Sequence, residues 1–175
     1  MAIFVFGLLT DADVGWMARA GVQRRVEDRE ILIEEGQPVK SVIFLLQGEF
    51  AITAEGAGEI ARLGVGEVVG EMSFLDSAPP SATVTAIGDG LALFLDKETL
   101  ARKLEADVAF GCRFYRALGI FLSDRLRGAM RRMDGSLDLG PKVLANEELD
   151  ARILGIASKA RDRFDRLLKM LVGER

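Results

Sequence analysis

The chain has 175 residues, 49% of them apolar, a net charge of −4, one cysteine (Cys112) and no histidine. Such a length suits one domain or one domain plus an appendage, and the charge gives no whole-protein attraction to nucleic acid. A single thiol excludes an internal disulfide framework and fits a reducing, cytoplasmic setting, and the lack of histidine removes the commonest general base and metal ligand, so no enzyme, catalytic residue or metal site is expected.

Met1–Leu9 (MAIFVFGLL) is apolar but lacks a basic start and a small-residue cleavage site, so it reads as a packed segment and not as a targeting signal. No later run is long enough to span a bilayer, and no membrane role is expected. Thr10-Asp11-Ala12-Asp13 opens a helix with an N-cap and acids in its first turn. That helix carries Trp16 into the core and stops at Gly21.

From Val22 to Leu95 short β-rich runs alternate with glycine breaks. The runs are 31–33, 42–46, 50–53, 60–63, 83–87 and 91–95, and the breaks are 35–38, 47–49, 56–58, 64–66 and 88–90. Many short strands at near-regular spacing predict an antiparallel sandwich or barrel.

Within this region Gly66–Val84 reads GEVVGEMSFLDSAPPSATV. Gly70 permits a tight bend and close approach of backbone to a ligand. Met72 and Ser73 then begin a short helix, whose first N–H groups have no partner inside it and attract anions. Glu71 beside such a site suits hydroxyl groups on the same ligand, as a ribose offers. The bland alternative is that Gly70 only turns the chain and Glu71 only bonds nearby backbone.

Lys97–Glu105 reads as a short helix and Asp107–Met133 as a long one. In the long helix Phe110, Phe114, Leu118, Phe121, Leu122, Leu126, Met130 and Met133 recur at three- and four-residue steps. Its arginines, Arg113, Arg116, Arg125, Arg127, Arg131 and Arg132, read as a solvated face. Asp134–Ala145 reads as a linker. Asn146 then caps a last amphipathic helix with Leu149, Ile153, Ile156, Ala160, Phe164, Leu167 and Leu171 on one stripe. That stripe must fold back, join a dimer or dock on a partner. The domain plan is therefore 1–133, a linker over 134–145, and a helix over 146–175.

Val69-Gly70-Glu71-Met72-Ser73-Phe74 and Pro79-Pro80-Ser81-Ala82-Thr83-Val84 resemble the phosphate-binding cassette of the cyclic-nucleotide-binding domain family, which includes catabolite activators and kinase regulatory subunits. Glu35-Gly36 followed by Phe44-x-Leu46-x-Gly48 resembles the early roll of the same family, and the likeness runs from about Leu8 to Met133. The resemblance implies an antiparallel β jelly-roll (a double-stranded β-helix-like barrel) with an N-terminal helix, a long C-helix and an extra C-terminal helix. It also implies a non-catalytic regulator of cyclic AMP or cyclic GMP type. The ligand residues carried over are Gly70, Glu71, Met72, Ser73, Ser81, Ala82 and Thr83. Glu71 would take the ribose hydroxyl, and the N–H groups of Met72, Ser73 and Ala82 with the Ser81 side chain would face the phosphate.

The family's phosphate-pairing arginine falls on Pro80, which supplies neither cation nor N–H. Cyclic nucleotide binding is therefore expected to be weak or absent, unless Arg62 or an arginine of the C-terminal part replaces it. The resemblance further implies a homodimer through the long helix. No helix-turn-helix follows that helix, so a standalone module without sequence-specific DNA binding is expected, signalling to a protein partner through its last helices. A ligand-free dimeric scaffold that docks through the last helix is the alternative.

Overall fold

The computed structural model describes residues 4–133 and 147–172. The expected linker over 134–145 and the Asn146 cap lie outside the described residues.

Two helices open the chain, α1 (Phe4–Leu8) and α2 (Asp11–Ala20). The expected cap forms in full. Thr10 Oγ1 accepts from Asp13 N (3.2 Å), and Asp13 Oδ2 accepts from Thr10 N (2.7 Å). Six strands follow: β1 (Val22–Val26), β2 (Ile31–Ile33), β3 (Ser41–Ala54), β4 (Gly58–Leu63), β5 (Val68–Val69) and β6 (Thr83–Asp96). A single turn, α3 (Met72–Leu75), sits between β5 and β6. Then come α4 (Lys97–Ala106), α5 (Val108–Met133) and α6 (Glu147–Val172). Asp96 caps α4 by accepting from Thr99 N at 2.8 Å, and Asp107 caps α5 by accepting from Phe110 N at 2.9 Å.

All strand pairs are antiparallel, in the order β1-β6-β3-β4, with β2 also on β6 and β5 also on β3. This is the expected jelly-roll-like architecture with flanking helices, built on a sheet that does not close on itself. Two expected breaks are corrected. Residues 47–49 and 88–90 do not separate strands but lie inside β3 and β6, which pair along their lengths. Register shifts at Leu45/Gln47 and Gln47/Glu49 mark β-bulges there. Gly48 has φ +98°, and a Cβ on Gly90 would lie 2.6 Å from the Gln47 carbonyl oxygen. The two glycines let one bent strand cross the other. β1, unforeseen in the sequence, buries only Val26, and its Arg24 guanidinium lies 4.4 Å from the centre of the Phe94 ring.

Residues 42–46 are all buried because both faces of β3 are covered. Val42, Phe44 and Leu46 face a helical layer with Val5, Phe6, Met17, Phe110, Phe114 and Leu118, whereas Ile43 and Leu45 face the inside of the roll with Phe50, Ile52 and Val84. Trp16, partly buried, packs on Phe110 with ring centres 5.5 Å apart. The stripe of α5 does not stay buried to its end. Phe110, Phe114, Leu118 and Phe121 are covered, but Leu126 and Met130 are 62% and 60% exposed. The later part of α6 folds back on the chain. Ala160, Phe164 and Leu167 are buried, Phe164 meets Phe6 edge-on at 5.4 Å, and Arg163 donates to the Gly7 carbonyl (2.9 Å) and to Asp11 (3.1 Å).

The arginines of α5 do not form a uniformly solvated face. Arg113 holds buried Asp13 with two bonds, Nε to Oδ2 at 2.7 Å and Nη2 to Oδ1 at 2.8 Å, and so ties α5 to α2. Burial pushes the Asp13 carboxyl up, but the guanidinium and the Thr10 cap outweigh it and hold the group below the usual carboxylate range.

Candidate functional site: the Gly70–Thr83 segment

β5 lies against β3, with Val69 opposite Ile43. The chain then turns at Gly70 (φ +79°), where a Cβ would stand 2.6 Å from the Ser41 carbonyl oxygen. Only glycine fits so close to β3 in this left-handed conformation. Glu71 leads into α3, whose turn is closed by Leu75 N to Glu71 O (3.0 Å) and Asp76 N to Met72 O (3.0 Å). Phe74 fastens the turn to α5 by an edge-on contact with Phe114, 6.4 Å between centres.

The second half is anchored elsewhere. Gly36 N donates to the Pro80 carbonyl (2.9 Å) and Glu35 N donates to Thr83 Oγ1 (3.0 Å). The early 35–36 corner is thus bonded to the end of the segment. Ile33 links the two halves, since it pairs with Val84 and its Cδ1 lies 3.5 Å from the place of a Gly70 Cβ.

Of the seven expected ligand residues, Glu71 is buried at 2% exposure while Met72 is 51% exposed. Ser73, Ala82 and Thr83 are half-buried, and Ser81 is exposed. The Thr83 hydroxyl already accepts a backbone hydrogen bond, so it serves the fold before it serves a ligand.

A residue that sequence reasoning had placed on the solvated face completes the site. Arg125 of α5 donates from Nη1 to Glu71 Oε1 (2.8 Å), and from Nη2 to the Val68 carbonyl (2.9 Å) and to Glu67 Oε2 (3.2 Å). Its guanidinium carbon stands 4.3 Å from the centre of the Phe121 ring. The one signal for this in the sequence is the four-residue step from Phe121 to Arg125, which puts ring and guanidinium on one side of the helix. Burial raises the Glu71 carboxyl above its usual range, against the pull of Arg125. Burial likewise lowers Lys97, whose ammonium feels the carboxylates of Asp76 and Glu71. Arg62 is engaged with Glu59 (2.7 Å) on the exposed β4. No described helix is long and apolar enough to cross a membrane.

Residues 23–107 match the family model for the cyclic nucleotide-binding domain. This chain carries a cyclic nucleotide-binding domain. The match holds the Gly70–Thr83 segment, the corner at 35–36 and all six strands but the first residue of β1. The chain is 31% identical over 94 residues to a Rhodopseudomonas palustris protein that bears a putative potassium-channel name. That stretch is 53% of this chain and 23% of the relative, so the chain spans less than a quarter of that protein's length. Among solved structures, a cyclic nucleotide-binding domain from Methylobacillus flagellatus matches with a TM-score of 0.67 and 23% identity, covering 77% of this chain and 78% of the other. The Thermus thermophilus catabolite activator protein matches with a TM-score of 0.63 and 22% identity, covering 97% and 86%. At such identities the two structures establish the fold of the domain. The family makes it a regulatory module.

Proposed function

We propose that this domain is a non-catalytic sensor with a weakened cyclic nucleotide site, and that α5 passes its state to a partner. The observation that carries this reading is the Glu71–Arg125 pair. It joins the residue expected to read the ligand's sugar to the helix expected to move. Pro80 stands where the family's arginine would meet the phosphate. Losing such a buried charged partner costs about 2–5 kcal/mol, or between tens- and thousands-fold in affinity.

Dimerisation through α5 is part of the proposal. Val108 (71% exposed), Tyr115 (49%) and Leu126 (62%) lie on one side of the helix, away from the domain core. They supply an apolar face that a second copy would cover. Sedimentation of the native chain and of Leu126→Glu tests this, with a dimer expected only for the native protein.

A second reading, a ligand-free scaffold, is favoured by one observation: Glu71 is already buried and paired within its own chain. Calorimetric titration with cyclic AMP and cyclic GMP separates the readings. The native chain is expected to bind weakly and Pro80→Arg at least about tenfold more tightly. If neither binds, the sensor reading fails and the scaffold stands.

A further inference from the structure

Arg125 makes more contacts than a helix tether needs. Its two terminal nitrogens reach three oxygens, on Glu67, Val68 and Glu71, and its plane lies over Phe121. One terminal nitrogen donates to Glu71 Oε1, the same kind of bond that a sugar hydroxyl would give that carboxylate, while the other holds Val68 and Glu67. In this structure Glu71 is 2% exposed, so a hydroxyl reaches the carboxylate only if this cover moves.

We propose that Arg125 is a built-in competitor for Glu71. Entry of the sugar and release of the α5 segment around Arg125 are then one exchange on a single carboxylate. This rests on the sensor reading above and adds its regulation. Two states follow, latched and open, and only the open state accepts the sugar. The apparent dissociation constant is the intrinsic one divided by the open fraction, so weakening the latch tightens binding. The same exchange frees a guanidinium next to the bound ligand and withdraws it from the Val68 carbonyl, which ties occupancy of the cassette to the position of α5.

The test compares the native chain with Arg125→Met, which keeps an apolar stem over Phe121, and with Arg125→Lys, which keeps the charge but loses the fork. Each is titrated with cyclic AMP and cyclic GMP in the Pro80→Arg background, which the sensor reading expects to bind more tightly. Amide exchange of residues 122–130 is followed in parallel without nucleotide. The latch predicts at least about tenfold tighter binding for Arg125→Met, a smaller gain for Arg125→Lys, and faster exchange over 122–130 in both. Weaker or equal binding by Arg125→Met overturns the competition and makes Arg125 a ligand group or a bystander, while the sensor reading survives. Unchanged exchange overturns the latch without any appeal to nucleotide. If exchange quickens but no variant binds either nucleotide, the competition and the sensor reading both fall and Arg125 is a structural clamp.

Discussion

Substitution of Gly70 by alanine isolates what the bend in the cassette costs. Two penalties add. An alanine at φ +79° pays for a left-handed conformation, about 1–2 kcal/mol. Its Cβ would also stand 2.6 Å from the Ser41 carbonyl oxygen, a backbone atom with no rotamer to escape into. Relieving that contact means moving the turn away from β3, against the Ile43–Val69 pairing, at roughly another 1–3 kcal/mol as for other overpacked sites. The sum is about 3 kcal/mol, or roughly 6–12 °C in melting temperature for a chain of this size. Gly36 is the control, because it has φ +75° and nothing within 4 Å of a Cβ. Gly36→Ala should therefore show the conformational part alone, about 1–2 kcal/mol. Urea unfolding of the two variants beside the native chain gives both values. If Gly70→Ala costs no more than Gly36→Ala, the close approach to Ser41 carries no energy and the argument for glycine at this corner fails.

Three further outcomes are expected. Asp13→Asn should cost about 2–3 kcal/mol in urea, below the usual toll for breaking a buried pair because Arg113 is 32% exposed and can be hydrated. Asp13 titrates below its ordinary value, so its contribution is present above that value and disappears as pH falls through the depressed one; the stability gap between native chain and variant should narrow on acidification. Glu71 is raised, so the sign reverses: the native chain loses stability as pH rises from the ordinary carboxylate value through the raised one, and Glu71→Gln should gain on it over that interval. Phe164→Ala, which empties a buried site against Phe6, should cost about 3–4 kcal/mol and expose the amides of α1 and the later part of α6 to exchange; a cost near zero would show that the fold-back of α6 contributes nothing.

The family pattern, the helix starts and the order of strands were legible because each rests on local chemistry. Thr10 with Asp13, Gly70 with Glu71, and the apolar run through 42–46 all lie within a few residues. What was hidden depends on distant contacts. Gly48 and Gly90 look like turns when read alone, yet each gives room to the backbone of the other's strand, so two apparent loops are one bend in a strand pair. β1 escaped notice because only Val26 is buried, and a polar strand has no hydrophobic period to read. Arg125 lay among other α5 arginines with the same local signature. Its role comes from a glutamate 54 positions away, and only the phenylalanine four residues before it sets it apart from exposed Arg116.

The antiparallel pairing of β1 with the far end of β6 sets an order of events while the chain is being made. Val22 waits for Phe94, and Arg25 waits for Leu91, so the first strand has no partner until the last one has left the ribosome. β3 can meet β4 and β5 sooner, but its longest pairing also waits, because Val42 pairs with Leu95. Through that interval Phe44, Leu46 and Val68 lack the strand and helices that later cover them. Long-range strand pairing of this kind folds slowly and leaves sticky intermediates. A nascent chain halted before residue 90 should therefore be held by chaperones or aggregate, and one extended through α5 should be released folded.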